Sequence, residues 1–79
     1  MTVWLWDAPG PRSSARGVCG KETSARRAAA ARLRAGQASG AVVEQAVIVL
    51  GAATLEDSYR RTGNRWQARP GQRIRWRRG

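Results

Sequence analysis

The chain has no histidine, no phenylalanine, one cysteine, one lysine and five acidic residues among 79. Each shortage removes something. Without histidine the usual zinc ligand sets are closed off, and no imidazole can act as a base for a nucleophilic Cys19. A lone cysteine cannot form an internal disulfide, so a reducing cytoplasm is the expected compartment. The opening "MTVWLWDAPG" has neither a basic leader nor an apolar stretch of signal-peptide length. The longest apolar run, "AVIVLGAA", is too short to cross a bilayer, so no membrane role is expected. With leucine, isoleucine and valine scarce, much of the 42% hydrophobic content is alanine. Trp4, Trp6, Trp66 and Trp76 must then supply the large buried surfaces, at about 150 to 250 Å² each.

Arginine is what the chain has in excess. Fourteen arginines and Lys21 against five acids give a formal charge of +10, which on so small a body favours polyanionic partners. An arginine-rich, alanine-rich composition is also what a GC-rich genome writes by default, so composition leaves the cause of the charge open.

The length fits one small domain, residues 1–79, with a thin core. "TVWLWD" has strand composition and is stopped by Ala8-Pro9-Gly10-Pro11. Residues 8–21 are expected to form a flexible connector, since "RSSARGVCG" is polar and punctuated by glycine. Glu22 to Ala35 is rich in helix formers, with Thr23 or Ser24 available as N-cap and Gly36 placed for a left-handed C-terminal residue. Its helical periodicity puts Ala25, Ala29 and Leu33 on one stripe with Ala28 beside them, and Arg27 and Arg34 on the other side. An alanine stripe lets the helix lie close to a sheet. "AVVEQAVIVLG" fits a helix face or a strand, and its β-branched density favours the strand. A further strand is expected over Thr54–Leu55 and Tyr59–Thr62, with Glu56 and Asp57 near its start. The expected fold is α+β in the order β-α-β-β-β. One helix covers one face of a three- to four-stranded, mainly antiparallel sheet, and arginines line the other.

The last 22 residues, "SYRRTGNRWQARPGQRIRWRRG", hold eight arginines and no acid. Gly63-Asn64 between strand-like runs predicts a two-residue hairpin turn. That register puts Tyr59, Trp66 and Ala68 on one face with Arg61 at its margin, and Arg60, Thr62, Arg65, Gln67 and Arg69 on the other. An irregular turn at Pro70-Gly71 would then place Ile74 beside Trp66 and Arg75 beside Arg65. The expected nucleic-acid-binding residues are Arg60, Arg65, Gln67, Arg69, Arg73, Arg75 and Arg77, with a secondary basic helix face at Arg27 and Arg34. Guanidinium groups hold phosphate oxygens bidentately and release counterions. Arg60, Thr62, Arg65 and Gln67 are candidates for base readout, and Trp76 for base stacking or for packing. The same alternation of arginine with apolar residues also describes an ordinary solvated sheet face.

Other chemistry is weakly supported. "GVCGKET" lacks the first glycine and the magnesium-binding hydroxyl of a phosphate loop, having Ala15 and Glu22 there. Glu56 and Asp57 are adjacent, and neighbours on a strand point apart, so they make a poor acid and base pair. No catalytic residue, metal, cofactor or small-molecule substrate is expected.

"VWLWD", an alanine-rich helix ending in "LRAGQA", and "YRRTGNRWQARPG" followed by "RIRW" resemble small actinomycete proteins that accompany integrative or mobile elements. The likeness rests on the spacing of Tyr59, Thr62, Gly63, Trp66 and Ala68 and assigns no role to any residue. The expected function is a non-enzymatic accessory or regulatory protein that binds DNA or RNA, nucleoid-associated in the DNA case. The alternative is a protein-interaction module, a homodimer or a subunit of a larger assembly, and a ribosome-associated protein would share the same electrostatics.

Overall fold

The computed structural model describes residues 1–51, 54, 58–71 and 73–79. It is an α+β fold with strands β1 (Thr2–Ala8) and β2 (Ala15–Cys19), helix α1 (Glu22–Arg34), then β3 (Ala41–Ile48), β4 (Tyr59–Ala68) and β5 (Arg77–Arg78). The five strands form one antiparallel sheet in the spatial order β2-β1-β3-β4-β5. The strand expected at Leu55, with Glu56 and Asp57, lies outside the described residues.

Three features correct the sequence expectation. The first is β2, which occupies the segment expected as a connector and pairs with β1 as Trp4↔Cys19, Trp6↔Gly17 and Ala8↔Ala15. Gly17 looked like a break, but it sits under the Trp6 indole. A Cβ at position 17 would lie 2.5 Å from Trp6 Nε1. Here glycine makes room for an aromatic in a strand pair and does not end a strand.

The second is β4, which runs straight through the expected hairpin turn. Glu44 pairs with Arg65 and Ala46 with Arg61, so Gln45 alone faces Thr62-Gly63-Asn64. The positive φ of Gly63, 95°, serves a bulge with two extra residues instead of a turn. Gln45 Oε1 accepts from Thr62 Oγ1 at 3.0 Å and from Asn64 Nδ2 at 2.8 Å, which holds the bulge closed. Adding two residues preserves side-chain parity. Tyr59, Arg61, Arg65 and Gln67 therefore share one face, and Arg60, Thr62, Asn64, Trp66 and Ala68 the other; Tyr59 and Trp66 are separated, not paired.

The third is the chain end. Trp66 pairs with Arg78 and Gln67 with Arg77. Neither Ile74 nor Arg75 takes the expected ladder position, because the reversal after Ala68 is a broad loop from which Ile74 and Trp76 pack back on the core.

Helix α1 covers the face that carries Trp4, Trp6, Val43 and Trp66. It buries Ala25, Ala29, Ala30 and Leu33, with Ala30 where the periodicity favoured Ala28. The cluster of Ala8, Ala25, Ala29, Leu33, Ala38, Ala41, Val43 and Ala68 is closed by half-buried Trp4, Trp6, Trp66 and Trp76. Small side chains on the helix let the indoles from the strands and the closing loop fill the space. The N-cap is Lys21, not the expected Thr23 or Ser24, and it makes no side-chain capping bond. It ends in a Schellman arrangement, with Gly36 at φ 70° donating to Leu33 O at 3.1 Å and Gln37 to Arg32 O at 3.0 Å. No helix among the described residues is long and apolar enough to cross a membrane.

Candidate nucleic-acid interface

Two open grooves flank Val42. The first lies at the sheet end where β3 begins and β4 finishes. Gln67, Arg69, Arg73, Arg75, Arg77 and Arg78 form one wall, and Pro9, Ser39, Gly40 and Ala41 the other, around about 590 Å³. Ser39 fixes that second wall by donating to Pro9 O through its backbone N–H at 2.8 Å and its hydroxyl at 3.1 Å. Among the described residues no acid lines this groove. Among the described residues the two ion pairs, Arg26 with Glu22 at 3.0 Å and Arg61 with Glu44 at 3.4 Å, lie outside it. Arg69, Arg73, Arg75 and Arg77 are all exposed, whereas Arg78 donates to Asn64 Oδ1 at 2.6 Å and sits 5.4 Å from the Trp66 ring centre.

The second groove, about 660 Å³, occupies the sheet face that the helix leaves open. Leu5, Val18, Val42 and Tyr59 give it an apolar floor, with Arg16, Arg61 and Arg65 set among Asp7 and Glu44. Its charge is therefore mixed.

Of the expected binding residues, the fold brings Gln67, Arg69, Arg73, Arg75 and Arg77 into the first groove and places Arg65 in the second. Arg60 lines neither: the bulge parity turns it to the helix side of the sheet, opposite Val47. Arg27 and Arg34 are exposed on the helix and line neither groove. Thr62 is engaged by Gln45. Arg16, Arg61 and Arg78 were missed. Arg16 was hidden by the unrecognised strand, and Arg61 by the hairpin register that set it at a margin.

Trp76 packs on the core and meets Arg26, whose guanidinium carbon is 5.8 Å from its ring centre and 4.4 Å from that of Trp66. Cys19 is half-buried in β2, opposite Trp4 on the helix side, and not in an exposed loop. No family model, curated protein or solved structure matches the chain. The arrangement itself is thus what speaks to function: exposed guanidinium groups converge on one groove that no acid among the described residues lines.

Proposed function

We propose that the protein is a non-enzymatic nucleic-acid-binding protein, an accessory or regulatory factor that grips phosphates in the arginine groove. One observation carries this: five arginines line a single groove that no acid among the described residues lines. Like charges gathered this way repel one another until an anion enters, and a phosphate chain delivers several charges at once while releasing counterions. Fluorescence anisotropy against labelled duplex DNA, single-stranded DNA and hairpin RNA at several salt concentrations tests it. Micromolar or tighter binding is expected, with log affinity falling linearly against log salt. Absence of binding at about 150 mM salt would leave the arginines as a solvated surface and shift attention to protein contacts on the open sheet face.

A further inference from the structure

We propose that the nucleic acid taken by this protein is a single strand, with its phosphates in the arginine groove and its bases laid along the open sheet face against Val42, Leu5 and Tyr59. This rests on the phosphate-groove function proposed above and specifies its ligand. Val42 lines both grooves, so they adjoin at that residue and a ligand laid across it would meet both along its track. Across the sheet, Val42 pairs with Gln67 and Gln67 with Arg77, which makes one row at the basic end. The row at the other end pairs Ile48 with Tyr59. The two rows lie six positions apart along β3, roughly 20 Å at the rise of an extended strand, a length suited to several nucleotides.

The track is uneven in a way that selects between ligands. At the groove end it is cationic: no acid among the described residues lines it, and Asp7, across Val42 from Gln67, faces Arg16. On the open face Glu44, in register with Arg65, takes Arg61 at 3.4 Å, and Asp7 stands opposite Arg16, so among the described residues Arg65 forms no ion pair. Between them lie Leu5, Val42 and half-exposed Val18. A duplex carries phosphates along both edges and hides its base faces, so lying here it would press phosphates onto apolar and acidic surface. A single strand turns its phosphates to the arginines and its bases to the apolar floor. Tyr59 is the aromatic that register places on this face. Trp66 and Trp76 are held on the helix side by Arg26, and Trp6 borders the track with its indole over Gly17.

The test compares three labelled ligands of about twelve nucleotides at equal salt: a mixed-sequence single strand, the same sequence as a duplex, and an abasic strand of equal length. The expected result is single-strand binding about tenfold or more tighter than to either of the others. Tyr59→Ala should weaken single-strand binding about five- to one-hundredfold without changing the salt slope, and Tyr59→Phe should match wild type. Should Tyr59→Ala not fold, the abasic comparison on the wild-type protein decides. A duplex or abasic strand bound as tightly as the single strand overturns the proposal and leaves the phosphate groove standing. Binding to none of the three overturns both.

Discussion

Replacing Arg73 and Arg75 together with glutamine should change the salt dependence of nucleic-acid binding by a calculable amount. Both line the acid-free groove, both are exposed, and neither forms an ion pair among the described residues. With Arg78 held by Asn64, four arginines of the groove remain for phosphate: Arg69, Arg73, Arg75 and Arg77. Each phosphate contact to a single strand contributes about −0.7 to the slope of log affinity against log salt, so four give about −2.8 and two about −1.4. Between 50 and 150 mM salt the wild-type protein should lose roughly 20-fold in affinity and the double variant roughly fivefold. Anisotropy titrations at five salt concentrations resolve that difference. Folding should not suffer, because both side chains are exposed, and two like charges about 7 Å apart repel by only about 0.6 kcal/mol in water before screening. The melting temperature should stay level or rise slightly at low salt. Arg27→Gln with Arg34→Gln, on the helix and outside both grooves, is the matched control and should leave the slope unchanged. Weaker binding with an unaltered slope in the Arg73 and Arg75 variant would refute the reasoning, since those arginines would then not be neutralising phosphates.

Further outcomes follow from the packing. Arg26→Ala removes contacts with two indole rings and the pair with Glu22, an expected loss of about 1 to 2 kcal/mol, visible as a drop of roughly 4 to 16 °C in thermal melting. Arg26→Lys keeps the charge without the planar stack and should fall between. Gly17→Val improves strand propensity yet drives a side chain into the Trp6 indole, so it should destabilise by about 1 to 3 kcal/mol and shift tryptophan emission to the red. Gly63→Ala, at φ 95°, should cost about 1 to 2 kcal/mol by chemical denaturation. Leu33→Ala, which empties the one large side chain on the buried helix stripe, should cost about 2 to 5 kcal/mol.

The helix and the strand nature of Ala41–Ile48 were legible because their signals are local. Alanine and arginine over a dozen residues favour helix whatever the surroundings, and Val47-Ile48 carry β-branched preference with them. The two glycines that misled were not local signals. Gly17 takes its meaning from Trp6, eleven positions earlier, and Gly63 from Gln45, eighteen earlier; a glycine that admits a ring and one that kinks a bulge look the same as one that turns a chain. Once Gly63 was taken for a turn, every residue from Tyr59 onward was assigned to a face through the wrong pairing. Five of the seven expected site residues still converge because their clustering depends on the acid-free composition of the chain end more than on its register. Arg60 and Arg65, whose placement depended on register, are the two that fall away, Arg60 to the helix side and Arg65 to the second groove.

A GC-rich genome accounts for the number of arginines but says nothing of where the acids stand. The three described acids are Asp7, Glu22 and Glu44. Glu22 and Glu44 each neutralise an arginine, and Asp7 lies opposite another; none of the three lines the arginine groove, although Asp7 stands in register with Val42, which does. Arg26 and Arg78 are offset further by indole rings. Four exposed arginines without an ion pair among the described residues, Arg69, Arg73, Arg75 and Arg77, share one groove, where each guanidinium raises the free energy of its neighbours. A polyanion that binds only the folded chain must therefore stabilise it, by about 2.7 kcal/mol when present at 100 times its dissociation constant. In a domain of this size that is a rise of roughly 10 °C or more in melting temperature. An arginine-rich surface with no site would respond to an oligonucleotide and to an equal concentration of monovalent anion alike. A bound strand would raise the melting point at micromolar concentration where chloride does not, and the Arg73→Gln, Arg75→Gln protein would lose most of that rise.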